Sequence, residues 1–374
     1  MSASRPIADW LRPSLLDVPP YVPVVPPAAL AARLGLPVER ILKLDANEGQ
    51  YGPSPKVAAA LAQVRSFHIY PDPAQMELRT ALARYLDVDP EMVVAGAGSD
   101  ELIELAIRLF VPPGESILSF PPTFGMYSFL AGTLGAKAIE LTRRPDYSLD
   151  LDTIAAQATG ARLIFVVSPN NPTGTLVSRD ELEALLAVGP PVVIDEAYAE
   201  FAGESHVDLV RQGRNLIVVR TLSKWAGLAG LRVGYMVCDP AVAAVALRVK
   251  QPYNVNVAAE VAALASLADL PYLQDRMRDV VAERERLAGL LAGLPGFEVT
   301  PSRANFVLCR LDGAPAAEVH ARLLERGIMV RYFDNPLLQN HLRITAGRPE
   351  QTDRLIASLR EVVEELNAKA GAAS

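Results

Sequence analysis

The stretch "RLIFVVSPNNPTGTLVSRDELEALLAVGPPVVIDEAY", residues 162–198, contains two short apolar runs on either side of an amphipathic segment. Both runs, "RLIFVVS" and "PVVID", are almost continuously apolar, which is typical of strands buried on both faces of a sheet. The segment between them begins with Ser178, and Glu181 follows at the spacing of a capping box. A strand, a helix and a second strand in this order predict a parallel sheet covered by helices.

The same alternation extends over residues 91–250, where helical segments separate several of the apolar runs. The runs are "MVVAG", "SILSF", "AKAIEL", "RLIFVVS", "PVVID", "NLIVVR" and "RVGYMVC". They predict an α/β fold whose large domain has a mostly parallel seven-stranded sheet sandwiched by helices.

The pattern changes after residue 255, where long charged helices are followed by shorter apolar runs. These later runs are "FEVTP", "NFVLCRL", "GIMVRYF" and "HLRITAG". They favour a smaller α+β unit. We therefore predict a large domain over residues 49–255, and an N-terminal arm with a small domain over residues 1–48 and 256–374.

Composition excludes several classes of function. The 374 residues carry a net charge of −7, which gives no electrostatic basis for binding nucleic acid. No apolar run is long enough to cross a bilayer, and the N-terminus has no continuous apolar core of a secretory signal. Cys238 and Cys309 are far apart, so we expect free thiols in a reducing cytoplasm. The four histidines lack metal-ligand spacing, so we expect no metal site.

Polar residues cluster just after the predicted strands. In open parallel sheets, ligands bind beyond the carboxyl ends of the strands, so these residues mark a candidate site. They are Gly98, Ser99, Asp100, Asn171, Asp195, Tyr198, Thr221, Ser223 and Lys224. Taken one at a time, these segments are equally typical of turns and helix caps.

Two of these residues carry charges that need an explanation. Lys224 lies in "TLSKWAGLAGLR", residues 221–232, among small and apolar residues. A lysine is usually solvated, and a buried amine is costly unless its pKa falls or its charge is removed chemically. Asp195 ends an apolar strand and needs a cationic or hydrogen-bonding partner, which the adjacent sequence does not supply. A structural ion pair with another part of the chain remains open.

Taken together, these segments and several others resemble the fold-type I aminotransferases that use pyridoxal 5'-phosphate. Within that family the chain is most similar to the histidinol-phosphate aminotransferases. The resemblance runs from about residue 21 to residue 360 and rests on "LDANEGQYGPSP" (44–55), "YPDP" (70–73), "GAGSDELIE" (96–104), "PPTFGMY" (121–127), "SPNNPTG" (168–174), "DEAYAEF" (195–201), "TLSKWAGLAGLRVGY" (221–235) and "HLRITAG" (341–347).

The resemblance implies a role for each cofactor-binding residue. It implies that Lys224 joins covalently to the cofactor aldehyde and acts as the catalytic base, and that Asp195 pairs with the protonated ring nitrogen. Asn171 and Tyr198 would hydrogen-bond the phenolic oxygen, and Phe124 would stack on the ring. The residues implied to hold the cofactor phosphate are Ser99, Asp100, Thr221, Ser223 and Arg232. Tyr70 matches a phosphate-binding tyrosine supplied by the other subunit, which implies a homodimer with shared active sites.

The resemblance also implies the substrates. Arg343 would bind a substrate anion, Arg331 the substrate phosphate, and Tyr51 would line the substrate pocket. The implied reaction converts L-histidinol phosphate and 2-oxoglutarate into imidazole-acetol phosphate and glutamate, in histidine biosynthesis. An aromatic amino-acid aminotransferase and a threonine-phosphate decarboxylase-like lyase remain alternatives. The family's usual "NENPYG" reads "NEGQYG" here, and Gly49 with Gln50 is expected to loosen the loop that carries Tyr51.

Overall fold

The computed structural model describes residues 6–16, 18 and 24–373. In this part of the chain the strands are β1 (Leu42–Lys43), β2 (Val93–Gly96), β3 (Ser116–Ser119), β4 (Lys137–Glu140), β5 (Ala161–Val167), β6 (Val192–Asp195), β7 (Leu216–Thr221), β8 (Gly234–Val237), β9 (Phe297–Thr300), β10 (Phe306–Leu311), β11 (Ile328–Met329), β12 (Arg331–Tyr332) and β13 (His341–Thr345). The helices are α1 (Pro13–Leu16), α2 (Pro27–Leu34), α3 (Pro55–Gln63), α4 (Met76–Leu86), α5 (Ser99–Phe110), α6 (Met126–Leu134), α7 (Leu151–Gln157), α8 (Arg179–Ala187), α9 (Ala199–Ala202), α10 (Val207–Arg211), α11 (Pro240–Val249), α12 (Val257–Leu267), α13 (Leu270–Ala292), α14 (Ala316–Glu325) and α15 (Pro349–Ala373).

The large sheet has seven strands in the order β2-β8-β7-β6-β5-β3-β4. All neighbouring pairs are parallel except those of β8, which is antiparallel to both β2 and β7. Each strand coincides with one of the seven predicted apolar runs. The predicted α/β fold with a mostly parallel seven-stranded sheet is therefore confirmed.

Helices cover both faces of this sheet, and one of them begins with the predicted capping box. Alternate residues of the strands enter two separate apolar clusters, one containing Ile164 and Val166 and the other Leu163 and Phe165. At the start of α8 the Glu181 amide donates to Ser178 Oγ at 3.2 Å, and the Ser178 amide donates to Glu181 Oε2 at 2.8 Å. The capping box satisfies backbone groups at the start of α8 and so fixes where this helix begins.

The smaller unit contains an antiparallel sheet in the order β12-β13-β10-β9, together with the parallel pair β1 and β11. Its apolar core includes Leu42 and Leu44, so the segment around β1 packs with the C-terminal part of the chain. Helix α12 packs against α3 and α4 of the larger unit. The division at residue 255 stays a prediction. Residues 1–5, 17 and 19–23 of the N-terminal arm lie outside the described residues.

Strand direction determines where the polar residues gather. Strands β5, β6 and β7 are mutually parallel, so the segments that follow them meet at one edge of the sheet. Strand β2 runs in the same direction, because β8 is antiparallel to both β2 and β7. The N-terminus of α5, which follows β2, therefore reaches the same edge. None of the helices in the described residues is long and apolar enough to span a membrane.

Gly234 allows a close backbone approach at this edge. A Cβ atom at Gly234 would lie 2.5 Å from the carbonyl carbon of Gly98 and 2.6 Å from the amide nitrogen of Ser99. Both contacts are with backbone, which cannot rotate away as a side chain can. The absence of a side chain at 234 thus lets β8 abut the turn that starts α5.

We expect Gly234→Ala to lower the free energy of unfolding by about 2 kcal/mol, because residues 98 and 99 must move to accept the methyl group. Urea unfolding of the apoprotein measures this loss. Gly289→Ala is the matched control, since Gly289 is exposed on α13 and a Cβ there has no neighbour within 4 Å. The control should be neutral or stabilising by up to ~1 kcal/mol. Equal stability of the two variants would contradict the close approach.

Candidate active site

A cavity of about 1110 Å³ opens between the strand-end edge of the large sheet and the smaller unit. All of the predicted site residues except Gly98, Tyr51 and Tyr70 line it. From the large sheet and its helices these are Ser99, Asp100, Phe124, Asn171, Asp195, Tyr198, Thr221, Ser223, Lys224 and Arg232, and from the smaller unit they are Arg331 and Arg343. The structure therefore joins the strand-end residues to two arginines that lie more than 100 positions further along the chain.

Lys224 is held inside the cavity wall. Its Nζ donates a hydrogen bond to the backbone oxygen of Ala46 at 3.0 Å. Loss of solvent around the amine and the nearby positive charge of Arg343 together lower the pKa of Lys224 to about 8, against the opposing charge of Glu48. The neutral form of such an amine, which can act as a nucleophile or as a base, is far more populated near neutral pH than that of a solvated lysine.

Asp195 is the buried acid of the site. Its side chain ends β6 and is 3% exposed. Asp195 Oδ1 accepts from the Ala197 amide at 3.0 Å, and Oδ2 accepts from the Tyr127 hydroxyl at 2.8 Å. Burial nevertheless raises the pKa of Asp195 to about 6.

No cationic side chain among the described residues forms an ion pair with Asp195, so the structural ion pair left open by the sequence is not found there. The next acid along the chain, Glu196, instead lies beside Arg220 and His206. A carboxylate that is buried, held by two neutral donors and open to a cavity suits a cationic ligand group. Asp195 thus fits the protonated ring nitrogen of a pyridine.

The N-terminus of α5 forms the second polar part of the cavity. Gly98, the residue before the helix, has φ +87°, and no side chain caps the helix amides. The Arg232 guanidinium lies over Gly98, with a nitrogen 2.6 Å from where a Cβ would be, and donates to Asp100 Oδ2 at 3.1 Å. The hydroxyls of Thr221 and Ser223 face each other at 2.9 Å nearby. Uncapped amides, hydroxyls and a guanidinium together suit a phosphate dianion.

Aromatic and amide side chains lie between these two ends. The Tyr198 hydroxyl accepts from Asn47 Nδ2 at 3.0 Å, and Asn171 Oδ1 accepts from Arg343 Nη1. Phe124 lines the cavity and meets Tyr127 edge-on, with ring centroids 5.8 Å apart. An aromatic ring bound between the N-terminus of α5 and Asp195 would need an aromatic side chain against its face and hydrogen-bonding groups at its edge. Phe124, Asn171 and Tyr198 therefore fit the ring of pyridoxal 5'-phosphate.

Asn47 and Tyr127 were not identified as site residues from the sequence. Asn47 has φ +55°, lines the cavity and is also anchored by the side chain of Thr345. Both residues lie within segments that resemble the family, "LDANEGQYGPSP" and "PPTFGMY", but their contacts are with residues far along the chain. The left-handed backbone that asparagine tolerates was the only local signal at position 47.

Two arginines from the smaller unit face the lysine. Arg331 and Arg343 are cross-strand partners of β12 and β13. Arg343 is 7% exposed and donates through Nη2 to the Asp45 backbone oxygen at 2.6 Å, while its guanidinium lies 5.4 Å from the Phe306 ring centroid. Such a pair of guanidinium groups can bind an anion of more than one charge.

Tyr51 and Tyr70 do not line the large cavity in the single chain. Tyr51 lies between Arg276 and Arg348, whose guanidinium carbons are 5.2 and 5.4 Å from its ring centroid. Tyr70 is 77% exposed and stacks on Tyr253 with centroids 4.4 Å apart. The role predicted for each tyrosine therefore stays a prediction.

The loop that carries Tyr51 contacts two distant segments of the chain. Arg348 donates twice to the Gln50 backbone oxygen, at 3.0 and 2.8 Å. A Cβ at Gly49 would lie 2.9 Å from the Lys224 backbone oxygen, so this loop packs directly against the lysine-bearing segment. The expectation of a looser loop stays a prediction, and these contacts are the ones that would oppose it.

Comparison with known proteins gives concordant results. The family model "Aminotransferase class I and II" matches residues 39–359. A histidinol-phosphate aminotransferase of Roseiflexus castenholzii is 51% identical over 366 residues, which cover 95% of this chain and 99% of the relative. Histidinol-phosphate aminotransferase 1, chloroplastic, of Arabidopsis thaliana is 45% identical, with 94% of this chain and 86% of the relative covered.

A solved structure also matches over nearly the full chain. It is that of histidinol-phosphate aminotransferase from Sinorhizobium meliloti in complex with pyridoxal 5'-phosphate, which superposes with a TM-score of 0.86 at 28% identity. The match covers 96% of this chain and 98% of that one.

We expect Arg343→Gln to raise the pKa of Lys224, because the substitution removes a neighbouring positive charge that disfavours the ammonium form. Competitive labelling with acetic anhydride across a pH series, read by mass spectrometry of the Lys224 peptide, measures the midpoint in the apoprotein. Arg310→Gln is the control, since Arg310 is exposed on β10 and pairs with Glu298 and Asp312. An unchanged midpoint in Arg343→Gln would show that the arginine does not influence the amine.

Proposed function

Since this chain belongs to the class I and II aminotransferases and to their histidinol-phosphate aminotransferase group, we propose that it transfers the amino group of L-histidinol phosphate to 2-oxoglutarate. The products are imidazole-acetol phosphate and glutamate, a step of histidine biosynthesis. The observation that carries this proposal is that Lys224, Asp195 and the arginine pair Arg331 and Arg343 open into one cavity. The names of relatives at 41–51% identity support this amino donor.

The cofactor is pyridoxal 5'-phosphate, and residues from both ends of the cavity would hold it. When bound, it supplies an electrophilic aldehyde and a ring that draws electrons from the substrate's Cα. Asp195 would keep a proton on the ring nitrogen, and Phe124 would contact the ring. The amides at the start of α5 and the side chains of Thr221, Ser223 and Arg232 would hold the phosphate.

Lys224 is the group of this chain that moves protons at the substrate. Its Nζ would be the group that joins to the cofactor aldehyde and, when free, would accept and hold the proton of the substrate's Cα. A pKa of about 8 lies close to neutral pH, so the neutral amine that a general base requires forms more readily than at a solvated lysine. The bond to the Ala46 oxygen restrains the direction in which the side chain reaches.

The arginine pair supports a phosphorylated amino donor. Arg343 suffices for one carboxylate, such as that of 2-oxoglutarate or of an aromatic amino acid. A phosphate monoester carries close to two negative charges, and Arg331 adds the second guanidinium beside Arg343. Both arginines lie at the end of the cavity formed by the smaller unit, where the substrate side chain would extend away from Lys224.

We expect kcat/KM for histidinol phosphate to exceed that for phenylalanine, and Arg331→Gln to reduce the former about 100-fold while changing the latter less than about threefold. Steady-state assays with 2-oxoglutarate measure both values. Arg310→Gln is again the control for loss of an exposed arginine. Dominant turnover of phenylalanine would favour the aromatic aminotransferase, and carbon dioxide release from threonine phosphate without 2-oxoglutarate would favour the lyase.

We further infer that two chains assemble into a homodimer with shared sites. Tyr70 matches the family tyrosine that reaches the phosphate site of the other subunit. It is one of four exposed large apolar side chains within residues 67–76, the others being Phe67, Ile69 and Met76, and it stacks on the exposed Tyr253. Exposed apolar side chains close together in sequence are typical of an interface.

Mixed dimers test whether each site uses both chains. Lys224→Ala and Tyr70→Ala should each lose most of the activity alone. A mixture of the two variants that is dissociated and reassembled should regain about a quarter of the wild-type activity. Half of the reassembled dimers contain one chain of each variant, and each such dimer has one intact site of two. Transamination assays before and after reassembly measure this gain. If no activity returns although mixed dimers form, each site is built from one chain.

A cytoplasmic location is part of the same proposal. Both cysteines are buried and unpaired, and burial raises the pKa of Cys238 and of Cys309 to about 12, which suits thiols in a reducing compartment.

A further inference from the structure

Among the described residues, Tyr127 is the only one whose side chain forms a hydrogen bond with Asp195. It is the second residue of α6 and is fully buried. Its hydroxyl donates to Asp195 Oδ2 at 2.8 Å across 68 positions of sequence. Burial and the neighbouring carboxylate hold the pKa of Tyr127 well above its usual range, so the hydroxyl keeps its proton and stays a donor.

The ring of Tyr127 is fixed by other aromatic residues. It stacks on Phe165 of β5 with centroids 4.8 Å apart and planes 16° apart. Its edge meets Phe124 at 5.8 Å and 85°. Because Phe124 lines the cavity, a movement of the Tyr127 ring would displace the aromatic wall against which the cofactor ring packs.

The surroundings of Asp195 show why a donor matters there. Burial raises its pKa, and the like charges of Asp100 and Glu196 raise it further. Tyr198 also faces Asp195, and Lys224 lines the same cavity. Among the residues that the structure describes, only the Tyr127 hydroxyl and the Ala197 amide stabilise the carboxylate form by hydrogen bonds.

We propose that Tyr127 is a positioning residue whose hydroxyl keeps Asp195 ionised and directed at the cofactor's ring nitrogen, while its ring fixes Phe124 against the cofactor's face. This inference rests on the cofactor of the proposed function and is independent of the amino donor. It follows that the charge on the ring nitrogen depends on a residue that touches neither cofactor nor substrate. Tyr127→Phe should therefore affect only the interaction of Asp195 with the ring nitrogen, since phenylalanine preserves the aromatic contacts with Phe124 and Phe165.

The test compares apoprotein binding of pyridoxal 5'-phosphate with binding of an analogue in which the ring nitrogen is replaced by C–H. The ratio of the two Kd values isolates the contribution of the nitrogen. In the wild type the advantage of the natural cofactor should fall as the pH drops through about 6, where Asp195 gains its proton. In Tyr127→Phe the same fall should occur roughly one pH unit higher, because the carboxylate has lost a hydrogen bond that favours its charged form.

Two further variants make the result specific. Tyr235→Phe is the matched control, since Tyr235 is equally buried and its hydroxyl has no hydrogen-bond partner among the described residues; its ratio should follow the wild type at every pH. In an Asp195→Asn background, Tyr127→Phe should leave the ratio unchanged.

The proposal is overturned if Tyr127→Phe leaves the midpoint where the wild type has it, or weakens the cofactor and the analogue equally. It is also overturned if the shift persists without the carboxylate at 195. Failure of the wild-type apoprotein to bind pyridoxal 5'-phosphate would instead refute the cofactor assignment, so the two failures are distinguishable.

Discussion

The site depends on the desolvation of one carboxylate. Asp195 is 3% exposed, and burial raises its pKa to about 6 although two donors bind it. A group whose pKa is higher in the folded state than in the unfolded state favours folding at low pH, and that contribution is lost as the pH rises through the folded value. At neutral pH the apoprotein therefore carries a negative charge at Asp195 that no cationic side chain among the described residues pairs with. A cationic ring nitrogen removes that cost, which couples cofactor binding to stability.

The same cavity shifts the pKa of Lys224 in the opposite direction. Loss of solvent raises the pKa of Asp195 and lowers that of Lys224, and in each case neighbours of the same sign add to the effect. The pKa shifts of both residues thus favour their neutral forms. The ionised form of each is most favourable when a ligand group of opposite charge lies beside it. The N-terminus of α5 differs, because there the exposed Arg232 forms an ion pair with Asp100. One end of the cavity therefore presents an ion pair to a ligand, whereas its centre holds two groups whose pKa values lie closer to neutral pH.

Much of the site was predictable because parallel strands deliver their carboxyl ends to one edge. Asn171, Asp195 and Lys224 each follow an apolar run, so the sequence placed them together before any contact was known. What could not be predicted depends on packing between distant segments. The bond from Asn47 to Tyr198 spans 151 positions, and that from Arg343 to Asn171 spans 172. Tyr70 is further removed, since the role implied for it depends on a second chain that one sequence does not position.

The loop at residues 49–52 shows that contacts with distant segments can restrain a loop in ways that local sequence does not reveal. Gly49 and Gln50 lack the stiffness of the family's usual Asn-Pro, so local flexibility predicted a loose loop. In the structure a Cβ at Gly49 would meet the Lys224 oxygen at 2.9 Å, and a Cβ at Gly227 would meet the Gly52 carbonyl carbon at 2.5 Å. The two glycines allow the backbones of the two segments to interlock, and Arg348 holds the loop from outside. The absence of a side chain at position 49 therefore lets the loop pack against the backbone of Lys224. This departure from the family pattern affects how the cavity wall is supported, and Asp195 and Lys224 still line the cavity.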